Sequence, residues 1–116
     1  MKTLGWHGLM EFSGCDPERL KQVRGVREAM LEAARLAGGT VVKQVFHRFK
    51  PWGVSGVVVI AESHLTIHTW PEHGYAAVDV FSCSRKLRQG EVRRYLKREL
   101  AAKRVQVQRV RRGPVQ

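Results

Sequence analysis

Between Thr40 and Cys83 the chain has room for four strands and little else. Residues 40–49, Ser55–Ala61, His64–Trp70 and Tyr75–Cys83 are each rich in β-branched and aromatic side chains. The connections are too short to hold a crossover helix, so neighbouring strands are expected to pair antiparallel. A first strand over residues 3–13 sets Thr3, His7, Leu9 and Glu11 against Leu4, Trp6, Gly8, Met10 and Phe12. A last one, Arg104–Val110, alternates through Val105 and Val107.

Two helices complete the pattern. Asp16 is a suitable N-cap, and Pro17 fits the first helical position, where a missing N–H costs nothing. From there to about Leu36, an apolar stripe runs through Leu20, Val23, Val26, Met30, Ala33 and Ala37, and Gly38-Gly39 ends it. A second helix is expected over about Gln89–Lys103, with Val92, Leu96 and Leu100 inward and cations outward. The order is therefore β-α-β-β-β-β-α-β. Two helices can cover only one face of such a sheet. The fold expected is α+β: a two-layer sandwich of an antiparallel sheet with both helices on one face. Its free face would stack on a second copy to give a homodimer with αββα layering.

At 116 residues the chain is one domain. No stretch approaches the ~18 apolar residues of a membrane helix, and the N-terminus lacks a secretory h-region, so a cytoplasmic protein is expected. Cys15 and Cys83 form no C-x-x-C pair and no disulfide framework. The formal charge of +11 is concentrated after Arg85. It reads as a solvated cationic face, because no nucleic-acid-binding motif accompanies it.

One junction is unusual. Val57 to Ala61 is apolar and His64 to Trp70 alternates, yet Glu62-Ser63-His64 joins them without Gly, Pro, Asn or Asp. His64 and His68 share a strand face, but no third ligand at a familiar spacing completes a metal centre, and none is expected. A hydrolase triad of Ser63, His68 and Asp79 or Glu72 lacks a G-x-S-x-G elbow. Another chemistry suits the junction better. A serine in a strained peptide can turn its hydroxyl on the preceding carbonyl, and elimination of the resulting ester cuts the chain and leaves a pyruvoyl end. Strict alternation sets Ser63 and His68 on opposite faces, so a sharp bend at 62–64 is expected if the two are to meet.

The run from Gly53 to Cys83, with E-S-H-L-T-I-H-T-W-P-E at its centre, closely resembles the prokaryotic S-adenosylmethionine decarboxylase proenzymes. Glu11 to Asp16 and His47-Arg48-Phe49 share the likeness, whereas Ser84 stands where many relatives carry glycine. The resemblance implies cleavage between Glu62 and Ser63 into a β chain, 1–62, and an α chain, 63–116. Ser63 would become the pyruvoyl group that forms a Schiff base with S-adenosylmethionine, replacing pyridoxal phosphate. His68 would move protons during processing with help from Ser55, and Cys83 would donate the proton that replaces CO2. Phe49 and Glu72 would hold adenine and ribose, with Trp70 close by. The product would be the aminopropyl donor of polyamine synthesis, made by a homodimer of cleaved protomers. The alternatives are a pyruvoyl-dependent arginine or ornithine decarboxylase, and a non-catalytic basic binding module.

Overall fold

Six strands pair antiparallel in the order β2-β3-β4-β5-β1-β6: β1 (Lys2–Ser13), β2 (Val41–Arg48), β3 (Val54–Ile60), β4 (Ser63–Trp70), β5 (Tyr75–Ser82) and β6 (Arg104–Val115). This computed structural model describes residues 2–115. Helices α1 (Pro17–Lys21), α2 (Val23–Leu36) and α3 (Gln89–Glu99) complete the chain. Helix α2 packs on α3 and against β2, β3 and β4, while α3 reaches β1 and β6.

The alternation in each strand becomes burial. On β4, Leu65, Ile67 and Thr69 are buried under the helices, as are Val78 and Val80 on β5 and Met10 and Phe12 on β1. Met30, Ala33, Val92 and Leu96 close this core from the helix side. Each fully buried Leu, Val or Phe contributes about 1.5–3 kcal/mol relative to exposure, so this one layer carries most of the stability. The opposite face is left open, and His64, Thr66, His68 and Trp70 of β4 stand on it with Ala77, Asp79 and Phe81 of β5.

Three expectations change. The single helix from Pro17 is two, because Gln22 is extended, at φ −93° and ψ 118°. There the Leu20 carbonyl accepts from the Thr69 hydroxyl at 2.9 Å, and the Thr69 Oγ1 in turn accepts from the Val54 N–H at 2.9 Å. A buried threonine thus diverts the helix to tie it to two strands. The second helix stops at Glu99 rather than Lys103: Ala101 turns to φ 52°, and the Ala102 N–H returns to the Lys97 carbonyl at 2.9 Å. Finally, β3, whose almost continuous apolar run suggests burial throughout, is buried on one side only, with Val57 and Val59 each 41% exposed, since nothing in one chain covers the open face.

Glycine is required at position 56. It stands opposite Phe46, and a Cβ there would lie 2.0 Å from the Phe46 ring. Gly56→Ala must push that ring off its strand. Overpacking of this kind costs ~1–3 kcal/mol, and calorimetry is expected to show Tm falling by at least about 4 °C.

Candidate active site

Strand β3 passes to β4 through two residues, Ala61 and Glu62, with Ile60 paired to Ser63. The bend expected at 62–64 is therefore present, one residue earlier, and Ser63 opens β4. Its φ is 151°, a value that residues with a Cβ rarely adopt and that costs ~1–3 kcal/mol. Neighbours on both sides hold it there. The Ala61 N–H donates to the Thr40 carbonyl at 2.8 Å, and the Glu62 carboxylate accepts from the Thr40 N–H at 3.1 Å. The Glu62 carbonyl accepts from the Cys83 N–H at 3.1 Å and from the Cys83 thiol at 3.2 Å. The Ser63 Oγ lies 3.3 Å from His64 Nδ1. A hydroxyl, an imidazole and a carbonyl facing two donors are the parts needed for attack on the peptide bond and for holding the oxyanion that forms.

The other sequence-selected residues gather at the far end of β4. Ser55 Oγ meets His68 Nδ1 at 2.7 Å across the β3–β4 pair. The rings of Phe49 and His68 are 5.6 Å apart, His68 and Trp70 4.2 Å, and Trp70 and Tyr75 5.3 Å. Glu72 follows, exposed, on the short turn Pro71–His73, whose proline is buried. The Tyr75 hydroxyl donates to the Glu11 carboxylate, and burial followed by that bond pushes its pKa up to about 12. Between the two ends lies an open depression of about 340 Å³ bordered by His47, Val57, Thr66, His68 and Asp79.

The bend does not bring His68 to Ser63. Five steps along the strand separate them by about 17 Å, and their backbone positions follow opposite parities. The triad of Ser63, His68 and Asp79 is likewise unassembled, since Asp79 pairs across from Thr66 in the middle of the face. His64 is the histidine that the Ser63 hydroxyl meets. It continues into a ring series that sequence inspection did not single out, with His64 to Phe81 and Phe81 to His7 each 5.6 Å. Arg112 closes the series on His7 Nδ1 at 3.0 Å. Only the register of three strands reveals that track; no single stretch of sequence contains it.

The two thiols differ sharply. Cys83 is exposed beside the Glu62 carbonyl, whereas Cys15 is buried against the Phe12 carbonyl and desolvation pushes it up to about 11. No helix among the described residues is long and apolar enough to cross a membrane.

A sheet with helices on one face, and a strained serine behind a doubly hydrogen-bonded carbonyl, are the parts of a self-processing enzyme. The family model for S-adenosylmethionine decarboxylase matches residues 6–113, and the chain belongs to that family. An S-adenosylmethionine decarboxylase proenzyme of Thermotoga maritima is 52% identical over 113 residues, covering 97% of this chain and 87% of the other. One from Acidithiobacillus ferrooxidans is 50% identical over 115 residues, covering 99% and 86%. The crystal structure of the adenosylmethionine decarboxylase from Aquifex aeolicus VF5 superposes with a TM-score of 0.91 at 38% identity, covering 100% of this chain and 96% of that one.

Thiol labelling tests the contrast between the cysteines. At pH 8, an aromatic disulfide reagent is expected to modify one thiol of the freshly folded chain within minutes and two after denaturation. Cys83→Ser should abolish the native-state label, because a thiol held near 11 is almost wholly protonated at that pH.

Proposed function

We propose that the chain cuts itself between Glu62 and Ser63 and then decarboxylates S-adenosylmethionine through a pyruvoyl group made from Ser63. The observation that carries this reading is the strained Ser63, set directly after a carbonyl that accepts from both the Cys83 amide and its thiol. The Ser63 oxygen adds to the Glu62 carbonyl carbon, the C–N bond opens, and an ester with a free amine results. The two Cys83 donors hold the oxyanion formed on the way. Loss of the Ser63 α-hydrogen then breaks the Cβ–O bond and releases residues 1–62 with a terminal carboxylate. Water adds, ammonia departs, and residues 63–116 begin with a keto-acyl group. Relief of an unfavourable φ favours the forward direction.

The residues present fit such a group, since the serine that becomes it, a proton-bearing thiol and an aromatic track share one sheet. The pyruvoyl group supplies a ketone and a conjugated carbonyl that take up the electron pair left by CO2, so pyridoxal phosphate is not needed. Cys83 Sγ holds the proton destined for the substrate carbon. Phe49 and Trp70 offer faces to adenine and to the cationic sulfonium. Glu72 accepts from the ribose hydroxyls, and Ser55 orients His68 through the 2.7 Å bond. An arginine or ornithine substrate would leave this aromatic and acidic end unused.

One chain does not complete the site. Its aromatic end and His68 lie about 17 Å or more along β4 from Ser63. The Ser63 Oγ turns toward His64 on the open face, so two copies stacked through these faces about a two-fold axis would set His68 of each near Ser63 of the other. The same stacking would cover Val45, Val57 and Val59, which are 69%, 41% and 41% exposed.

Mass spectrometry and mixed chains test both steps. Wild type is expected to yield two fragments, 1–62 and a keto-acyl 63–116, whereas Ser63→Ala stays whole and inactive. His68→Ala chains alone should remain uncut, and co-folding them with Ser63→Ala chains should restore cutting to the His68→Ala copies. Whole wild-type chains after prolonged incubation overturn self-processing. Unrestored cutting in the mixture overturns the shared site.

A further inference from the structure

A second cavity lies on the other side of the sheet, where the β1–β6 edge passes the start of α3. Its volume is about 540 Å³, within the usual range for small-molecule sites, and its walls include Trp6, Arg85, Leu87, Gln89, Arg109 and Arg111. We infer that this cavity binds a small phosphorylated anion. The inference does not depend on the self-cleavage reading.

The sequence alone scatters these residues over a hundred positions; the ladder collects them. Arg111 pairs across from Trp6 and Arg109 from Gly8, so both side chains leave the sheet on the helix-bearing face. Directly opposed residues of an antiparallel pair point the same way. Gly8 has no side chain to fill the floor beneath Arg109, and Gln89 occupies that ground instead: a Cβ at position 8 would lie 2.6 Å from its Oε1. The Gln89 amide donates to the Trp6 carbonyl at 3.2 Å and fixes this wall. The third guanidinium, of Arg85, sits 4.9 Å over the Trp6 indole.

Three guanidiniums therefore share one concavity whose lining contains no carboxylate, and none of them is in an ion pair among the described residues. Like charges so arranged repel until an anion joins them. Planar forked donors match phosphate oxygens, which take two bonds from one guanidinium. The uncapped first turn of α3, whose N-cap Arg88 makes no side-chain cap, adds a preference of the same sign. A compact ligand fits better than a polymer. Along α3, Arg94 is engaged by Glu91 and Arg98 lies 3.9 Å from Glu99, so part of the cationic surface leading away is already occupied by carboxylates.

The test is calorimetric titration of the purified full chain with inorganic pyrophosphate at about 0.1 M salt. Saturable binding is expected, one anion per chain, with Kd below about 1 mM. Arg109→Gln combined with Arg111→Gln should weaken it at least about tenfold, while the double Arg→Lys variant, which keeps the charge but loses the fork, should fall between. Unchanged circular dichroism melting of these surface variants separates lost binding from lost fold. No saturable heat up to about 10 mM overturns the site, as does undiminished binding by the double Gln variant. Binding of a single-stranded oligonucleotide without binding of pyrophosphate also overturns it, in favour of a nucleic-acid surface.

Discussion

Everything at the Ser63 end of β4 turns on how Glu62 is pinned. Its carboxylate reaches the Thr40 N–H at the entry to β2, its carbonyl faces Cys83 at the exit from β5, and Ala61 beside it bonds back to Thr40. A net contribution of ~0.5–1.5 kcal/mol per hydrogen bond, rather more where a carboxylate accepts, sums to more than the ~1–3 kcal/mol cost of one unfavourable φ. The hairpin cannot relax Ser63 without releasing neighbours on two flanking strands. Strain at this point is thus affordable to the fold, and it sits on the bond whose carbonyl already has two donors. The Cys83 thiol, one of those donors, is exposed beside that carbonyl. On the proposed reading, one short loop serves two successive reactions.

The one-sided placement of the helices has an equally direct consequence. It concentrates the apolar core beneath the sheet and leaves the other face to histidines, tryptophan, tyrosine and valines. A face carrying both an aromatic track and exposed valines is poorly suited to water along its whole extent. Stacking on a second copy would remove the valines from water and shorten the separation between Ser63 and the aromatic end. On the proposed reading, stability and completeness of the site call for the same contact. The depression beside Asp79 and Thr66 would become an enclosed space in such a pair, where aromatic and carboxylate groups act through a lower dielectric.

Features written in local residues were legible before any coordinates. Asp16-Pro17 starts a helix, Gly38-Gly39 ends one, and the parity of β4 puts His64, His68 and Trp70 together. Features that depend on a distant partner were not. The break at Gln22 arises because Thr69, nearly fifty residues on, takes the Leu20 carbonyl. Helix α3 gives up its last residues to a left-handed Ala101, which propensity disfavours and only the turn into β6 requires. The expected meeting of Ser63 with His68 presumed that a bend alone could bring them together. A two-residue hairpin reverses the chain before Ser63, so β4 runs straight from there and carries His68 away. His7 escaped notice for a related reason, since its importance comes from Phe81 and His64 lying beside it in register.

The net charge of +11 is at first sight unfavourable for a cationic sulfonium substrate. The sheet resolves this by sorting charge. On the open face the carboxylates Glu11 and Asp79 occupy the inner strands β1 and β5, while Lys43 and Arg112 stand on the outer strands β2 and β6. Arg85, Arg109 and Arg111 belong to the cavity by the helices, on the far side of the layer. Salt screens interactions between exposed charges beyond about 8–10 Å, so exposed cations at the edges and behind the sheet act weakly at its centre. A carboxylate a few ångströms away acts strongly there. The distribution of charge, and not its total, decides which ion each face accepts.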